Sequence, residues 1–272
     1  MKGGRDLTYS DICGALKSAG IENYAREAAI LIEELCGEFS EDKDFDSQAL
    51  ISAVEKRCTR FPLQYIIGKW WLANCEFFVN ESTLVPRPDT ETVVELAMKH
   101  LPKNAYFADL CTGSGCIAIS ILDLRADTVA DAYELYPDTL EMAKKNAVHN
   151  KVESRFTPVC GDVLCENALG DKKYAAIISN PPYIRTEVID TLETEARTEP
   201  RAALDGGDDG LIFYRAIVEN FAKNLAPDGF FLFEIGYDQA DDLRKIAHDG
   251  GYSCEIYRDL GGCDRAALLR KK

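Results

Sequence analysis

A regular alternation of helices and strands from residue 89 onward is the feature that most limits how this chain can fold. Helical spacing of apolar residues occurs at 89–101, 117–124, 137–149 and 211–224. Between these segments, short runs of β-branched and aromatic residues predict strands at 105–110, 128–134, 155–160, 174–179 and 229–235. Because a helix between two strands forms a crossover that leaves the strands parallel, the pattern predicts a doubly wound α/β domain with a mostly parallel sheet.

The end of the chain departs from this alternation. A helical segment at 237–249 is followed by two strand candidates, at 252–258 and 265–270, which a short glycine-rich turn joins. Such a turn favours antiparallel pairing. With these two strands, the predicted sheet has seven strands.

The first 60 residues have a different pattern. Apolar residues at helical spacing predict helices at 8–19, 22–36 and 46–59. Residues 64–85 follow Pro62 and are rich in aromatic and β-branched side chains, which are typical of strands. The length of 272 residues suits one domain of about 200 residues and a smaller one. We therefore predict a helical bundle over 1–62, a β-hairpin linker over 63–85 and the α/β domain over 86–272.

Composition and charge limit the class of protein. Hydrophobic residues make up 46% of the chain and charged residues 28%, as in a globular protein with a buried core. The net charge of −15 disfavours direct binding to nucleic acid, whose phosphates attract Lys and Arg. We find no apolar run of roughly 18 residues and no apolar signal core at the N-terminus, so we expect a cytoplasmic protein that does not bind membranes.

The ten cysteines are scattered along the chain and contain no C-x-x-C pair. This spacing indicates neither a disulfide framework nor a metal-ligand motif. Cys111, Cys116 and Cys160 lie among apolar residues, which predicts buried, reduced thiols. We expect no bound metal.

A glycine-rich loop follows the first strand of the α/β domain. It reads Asp-Leu-Cys-Thr-Gly-Ser-Gly over 109–115, so glycines occur where the main chain must approach a ligand, and an adenosine-containing cofactor is implied. With Ala118 the loop also fits the dinucleotide fingerprint G-x-G-x-x-A, which leaves a nicotinamide enzyme and a methyltransferase both open. The candidate cofactor residues here are Asp109, Cys111, Thr112, Gly113, Ser114 and Gly115.

One acidic residue ends the next strand, and another follows the strand after that. Glu134 can accept hydrogen bonds from both ribose hydroxyls, although it could instead be an acid at the start of a helix before Pro137. Asp162 can accept from the exocyclic amine of adenine, with Val163 beside the ring, although it could instead be an ordinary turn residue. We predict that these three residues complete the cofactor site.

The tetrapeptide Asn180-Pro181-Pro182-Tyr183 follows the fourth strand. Two prolines remove main-chain N–H donors and leave carbonyl acceptors, and Asn180 adds a side-chain carbonyl, so two oxygens can accept both N–H groups of a substrate amide. Tyr183 offers a planar face for packing. An amide nitrogen is a poor nucleophile, so catalysis must depend on alignment. An ordinary proline turn is the alternative, but we predict a catalytic site, with Asn180 also beside the cofactor.

Taken together, these motifs make the chain similar to a known family. It resembles the HemK or PrmC family of peptide chain release factor glutamine N5-methyltransferases over nearly its whole length. The motifs that carry the resemblance are Pro62–Gly68, Pro86–Glu91, Cys111–Gly115, Asn180–Tyr183, Glu199–Pro200, Gly206–Gly207 and Glu234–Gly236. The resemblance implies a Rossmann-like class I methyltransferase fold with S-adenosylmethionine as the cofactor.

The resemblance also implies the reaction. A methyl group would pass from S-adenosylmethionine to the N5 side-chain amide nitrogen of the glutamine in the Gly-Gly-Gln motif of peptide chain release factors. Asn180 and Pro181 would bind that amide, and the N-terminal helical domain would help to dock the release factor. We expect a monomer.

Two residues depart from the family pattern. Cys111 stands where many members have glycine, and Glu134 where aspartate is commoner. A small residue should be tolerated in the loop, and glutamate still offers two acceptor oxygens. Within the Pro86–Glu91 motif, Asp89 is expected to cap a helix. The resemblance assigns no firm role to Arg87 or Glu199.

Four other functions are weighed against this one. A ribosomal-protein glutamine methyltransferase would share the tetrapeptide and its chemistry, but the Pro86–Glu91 motif favours the release-factor branch. A DNA or RNA amino-methyltransferase would be expected to carry a basic surface. A nicotinamide oxidoreductase would use the glycine loop alone, and a catalytically silent binding module would be expected to lose the amide acceptors.

Overall fold

The computed structural model describes residues 7–37, 39, 45 and 48–272, and these divide into two compact units. The first unit contains the described residues up to Lys69 together with Leu192–Thr198. Its helices are α1 (Tyr9–Ser18), α2 (Tyr24–Cys36), α3 (Gln48–Cys58), α4 (Leu63–Ile67) and α8 (Thr194–Thr198).

Local sequence explains where the helices of the first unit begin and end. Thr8 and Asp11 form a capping box at the start of α1, in which each side chain accepts the other residue's main-chain N–H at 3.1 Å. Gly37 ends α2 in the left-handed conformation, at φ 81°. The helices predicted at 8–19 and 22–36 are confirmed, and α3 lies within the predicted 46–59, whose first two residues lie outside the described ones.

Arg57 is the main polar connection inside the first unit. It is only 5% exposed, and its guanidinium makes ion pairs of 2.6 Å with Glu27 of α2 and 3.0 Å with Glu195 of α8. A buried cation needs such partners because burial removes its hydration. These contacts account for the grouping of Leu192–Thr198 with the N-terminal helices.

The predicted hairpin linker forms over fewer residues than expected. Strands β1 (Lys69–Leu72) and β2 (Cys75–Phe78) make a two-stranded sheet, but the preceding residues Leu63–Ile67 form α4. Pro62 at the N-terminal boundary and left-handed Gly68, at φ 76°, enclose this single turn of helix. These boundary residues favour a helical turn over 63–67, although the β-branched composition there favours a strand.

The second unit is built on a seven-stranded sheet. Its strands are β3 (Tyr106–Leu110), β4 (Val129–Glu134), β5 (Phe156–Cys160), β6 (Tyr174–Ser179), β7 (Leu225–Glu234), β8 (Tyr252–Arg258) and β9 (Asp264–Lys271). Their order is β5-β4-β3-β6-β7-β9-β8, with β9 antiparallel to both of its neighbours and all other pairs parallel. The predicted mostly parallel sheet of seven strands is confirmed.

Helices cover both faces of this sheet. They are α5 (Glu91–His100), α6 (Cys116–Leu124), α7 (Pro137–His149), α9 (Ile212–Phe221) and α10 (Ala240–Asp249). Apolar residues of α5, α6 and α7 pack in one core with Phe107, while those of α9 and α10 pack in the other with Ala108. Because successive residues of a strand face opposite sides, strands buried on both faces read as nearly continuous apolar runs.

All ten cysteines are free thiols, but Cys160 is exposed, so its predicted burial is wrong. It ends β5, which is one of the two edge strands of the sheet, and an apolar run there is covered less completely. Among the described residues, no helix has the length and apolar character needed to cross a membrane.

Candidate active site

A cleft lies at the edge of the sheet where the parallel strands β3 to β6 end. Its cavity volume is about 110 Å³. Loops that follow successive strands meet at this edge in doubly wound folds. Seven of the predicted site residues line the cleft: Cys111, Gly113, Glu134, Asp162, Val163, Asn180 and Pro182.

A smaller cavity of about 30 Å³ lies beside the glycine-rich loop. Cys111, Gly113 and Asn180 line both spaces, so the two are neighbours. Thr112 and Ser114 line only the smaller cavity. Four predicted site residues line neither space: Asp109, Gly115, Pro181 and Tyr183.

The glycine-rich loop turns sharply between β3 and α6. Cys111, Gly113 and Gly115 all have left-handed φ angles, of 57°, 58° and 84°. Gly115 must also be small, because a Cβ there would lie 2.7 Å from the Cδ1 atom of Ile119. Cys111 has a left-handed conformation that glycine adopts without strain. This preference explains why glycine would suit the position.

Asp109 stabilises this loop from inside the protein. Its Oδ2 accepts hydrogen bonds from the Thr112 hydroxyl at 2.6 Å and the Ala118 N–H at 3.2 Å. The side chain is fully buried, and this burial raises its pKa to about 7. Asp109 therefore shapes the loop from beneath, where the sequence predicted a residue in the cofactor site.

Glu134 joins the end of β4 to the glycine-rich loop. Its Oε2 accepts the N–H of Gly113 at 3.1 Å, and its Oε1 accepts those of Leu135 and Tyr136 at 2.9 and 3.1 Å. Burial raises the pKa of this carboxyl. Since each carboxylate oxygen has two lone pairs, Oε1 is fully used, and Oε2 retains one lone pair that can accept a further hydrogen bond.

Asp162 and Val163 line the same cleft, where they place a carboxylate beside an apolar side chain. Asp162 follows β5 and accepts the N–H of Leu164 through Oδ1 at 2.8 Å, which fixes its side chain in a local turn. Val163 is 5% exposed and belongs to the core beneath the cleft. A carboxylate next to an apolar side chain suits a flat heteroaromatic ring with an amino group.

Asn180 lies directly after β6, next to β3 and β7. The preceding Ser179 donates its hydroxyl hydrogen bond to the Leu110 carbonyl at 2.6 Å, which fixes the end of the strand. Within the described part of the chain, the Asn180 side-chain amide forms no hydrogen bond, although it lines the cleft. Pro181 and Pro182 are buried, and as prolines they offer carbonyl acceptors without N–H donors.

Tyr183 points into a polar cluster that the sequence did not predict. Its hydroxyl donates to Oε1 of Glu234 at 3.4 Å, and the Thr90 hydroxyl donates to Oε2 at 2.6 Å. Burial raises the pKa of Glu234 to about 7 and raises the pKa of Tyr183 above its usual range. The sequence feature that could have indicated this cluster is Glu234 itself, an acidic residue at the end of an apolar strand and within the Glu234–Gly236 motif.

Arg87 and Glu199 hold the segment between β2 and α5. The Glu199 carboxylate is buried, accepts the N–H of Val85 at 3.0 Å and pairs with the Arg87 guanidinium. Burial raises the pKa of Glu199, although Arg87 opposes this shift.

Asp89 does not cap α5: it pairs with Arg265 at 3.2 Å, and Thr90 takes the position before the helix. The predicted capping role of Asp89 is wrong.

Comparison with known proteins identifies the family. Residues 87–205 match the model of the methyltransferase small domain. A release factor glutamine methyltransferase of Thermodesulfovibrio yellowstonii is 36% identical, over 96% of this chain and 90% of its own. One of Agrobacterium fabrum is 35% identical over the full length of both chains. The chain belongs to the release factor glutamine methyltransferase family. The family predicted from the sequence motifs is thereby confirmed.

The fold of this chain also has solved counterparts. A methyltransferase of Pyrococcus furiosus superposes with a TM-score of 0.55, covering 74% of this chain and 90% of that one at 18% identity. At that identity the likeness concerns the fold alone. Together with the sheet order, it confirms the predicted class I methyltransferase fold.

Proposed function

We propose that this protein transfers a methyl group from S-adenosylmethionine to the N5 amide nitrogen of the glutamine in the Gly-Gly-Gln motif of peptide chain release factors. The observation that carries the proposal is the name shared by relatives that are 31–37% identical over most of the chain. Asn180 lines the cleft, and its side-chain amide has no hydrogen-bond partner among the described residues. Its oxygen can therefore accept an N–H of the substrate amide.

The residues that line the cleft fit the adenosine part of the cofactor. In our proposal Glu134 accepts from the ribose hydroxyls, Asp162 accepts from the adenine amine, and Val163 packs against the ring. Cys111, Gly113 and Ser114 present the loop, while Asp109, Thr112 and Gly115 keep its shape. When bound, S-adenosylmethionine supplies a methyl group activated by its sulfonium.

The tetrapeptide holds and orients the substrate amide. The side-chain oxygen of Asn180 accepts one amide N–H and the carbonyl of Pro181 accepts the other, which turns the nitrogen toward the methyl donor. Pro182 adds no competing N–H, and Tyr183 stabilises the segment through its bond to Glu234. The N–C bond would form as the carbon–sulfur bond of the donor breaks, the donor would leave as a neutral thioether, and one amide proton would pass to solvent. Such alignment by dipoles suits a nucleophile whose lone pair is delocalised.

The first unit completes the proposal. We propose that its helices dock the release factor, because the chemistry resides in the second unit and a large protein substrate needs binding surface outside the cleft. We retain three predictions made from the sequence: that the protein acts in the cytoplasm, that it is a monomer, and that it does not bind nucleic acid directly.

Methylation of a purified release factor tests the function. The protein is incubated with S-adenosylmethionine and the factor, and the methylated residue is mapped by mass spectrometry. We expect one added methyl group, on the glutamine of the Gly-Gly-Gln motif. A factor with glutamate at that position should not react, because a carboxylate has no N–H for the two oxygens. Methylation at another residue, or none, would contradict the proposal.

A further inference from the structure

Gln239 is a buried residue whose side-chain amide is hydrogen-bonded at both ends. Its Nε2 donates to the carbonyl oxygens of Tyr183 at 3.0 Å and Gly210 at 3.2 Å. Its Oε1 accepts from the N–H of Gly236 at 2.9 Å and from the Tyr214 hydroxyl at 3.3 Å. Since a carbonyl can only accept and an N–H can only donate, these partners fix the orientation of the amide.

The main chain that Gln239 holds continues directly from the proposed amide site. Ile184, the residue after Tyr183, donates its N–H to the Leu204 carbonyl at 2.9 Å. The Ile184 carbonyl accepts the N–H of Gly206 at 2.8 Å. The segment 204–206 therefore runs alongside residues 182–184 and restrains them from one side.

Glycines allow this segment to approach so closely. A Cβ at Gly206 would lie 2.8 Å from both the Pro182 carbonyl oxygen and the Tyr183 Cα atom. A Cβ at Gly210, whose φ is 74°, would overlap the Tyr183 carbonyl oxygen. Larger residues would displace the tetrapeptide, which gives the Gly206–Gly207 motif a role that the reaction itself does not explain.

We propose that Gln239 is a positioning residue for the amide site. Together with Gly206 and Gly210 it fixes the main chain at Pro182 and Tyr183, and so sets the direction of the acceptors that precede them. This inference rests on the proposed function. Gln239 acts through Tyr183 rather than by touching the substrate.

Replacement of Gln239 by glutamate tests the proposal, because the chain offers a matched control. Gln239→Glu keeps the size of the side chain but replaces the NH₂ group, with its two N–H donors, by one oxygen that faces the Tyr183 and Gly210 carbonyls. Asn224, before β7 at the opposite end of the sheet, also donates from one side-chain NH₂ group to two carbonyls, those of Gly170 at 2.9 Å and Lys172 at 2.8 Å. Asn224→Asp therefore makes the same chemical change away from the cleft.

Both variants are assayed as full-length proteins with S-adenosylmethionine and a release factor. We expect kcat of Gln239→Glu to fall about 10- to 100-fold, since a misplacement of about 1 Å can have this effect, while the Kd for S-adenosylmethionine stays near the wild-type value. Asn224→Asp should lower the unfolding temperature but keep kcat. If Gln239→Glu lowers only the unfolding temperature, the residue is structural and the proposal is wrong.

A second pair of variants keeps the test decisive if Gln239→Glu does not fold. Gly210→Ala pushes against the Tyr183 carbonyl, whereas Gly251, at φ 82°, has open space around its Cβ position. Both substitutions strain a left-handed residue, but only Gly210→Ala should reduce kcat. Equal kcat values for the two would overturn the proposal. A wild-type protein that does not methylate the factor would instead contradict the proposed function.

Discussion

The carboxylate of Glu134 accepts the main-chain N–H of Gly113 at 3.1 Å, which links the end of β4 to the loop after β3. Glu134→Gln would place an NH₂ group where one acceptor oxygen is needed. We expect the Kd for S-adenosylmethionine to rise about 10- to 100-fold, as for the loss of a hydrogen bond to a charged group worth about 1.5–3 kcal/mol. Titration calorimetry measures this, and an unchanged Kd would remove Glu134 from the cofactor site.

Asn180→Ala should separate catalysis from stability. Without the side-chain oxygen, one substrate N–H would be left unpaired in the cleft, so we expect turnover to fall roughly 10²- to 10³-fold, about 2.7–4 kcal/mol, as when one preorganised polar group is removed elsewhere. The unfolding temperature should change little, because Asn180 forms no side-chain hydrogen bond with the described residues. A folded variant with wild-type turnover would refute the amide clamp.

The buried carboxyl of Asp109 predicts a dependence of stability on pH. Its pKa is about 7 in the folded protein, compared with about 3.9 in an unfolded chain. Between these values the folded state holds a proton that the unfolded state has released, so stability falls as pH rises, by up to about 1.4 kcal/mol per pH unit.

The variant Asp109→Asn removes this titration. Denaturant unfolding at pH 5 and pH 8 should show a smaller loss of stability for the variant than for the wild type. Glu234, whose pKa is also about 7, should preserve part of the dependence in both proteins. An identical pH dependence would mean that Asp109 stays ionised when buried.

Cys111 offers a test of strain in the cofactor loop. Its φ of 57° disfavours any residue with a Cβ. Cys111→Gly and Cys111→Ala both remove the thiol, but only glycine relieves the strain. We expect the free energy of unfolding to be about 0.5–1 kcal/mol higher for Cys111→Gly than for Cys111→Ala. This difference allows for the greater freedom of glycine in the unfolded chain. Equal stabilities would indicate that the loop relaxes around alanine.

The sheet and its helices could be predicted because their causes are local. Strands buried on both faces have continuous apolar sequences, and helices between them have periodic ones, so the boundaries of β4 and α7 follow closely from the sequence. The residues that line the cleft, such as Glu134 and Asp162, could be predicted because each lies at or just after the carboxyl end of a strand, and these ends share one edge of the sheet.

Other features depend on contacts between distant residues. Nothing local indicates that Gln239 reaches Tyr183, or that Glu234 accepts from Thr90, because these pairs are 56 and 144 residues apart. Asp109 was predicted as a cofactor residue from its position in the loop, and nothing local indicates that its side chain accepts from Thr112 and Ala118. The turn of helix at Leu63–Ile67 was missed because composition was weighed above the boundary residues Pro62 and Gly68.

Leu192–Thr198 belongs to the first unit although it lies within the sequence of the second. A chimera made by joining the N-terminal helices of one relative to the catalytic part of another would therefore separate Arg57 from the Glu195 of its own protein. Exchange of the helical unit between family members needs two segments of the gene. We therefore expect substitutions at Arg57 and Glu195 to covary among family members.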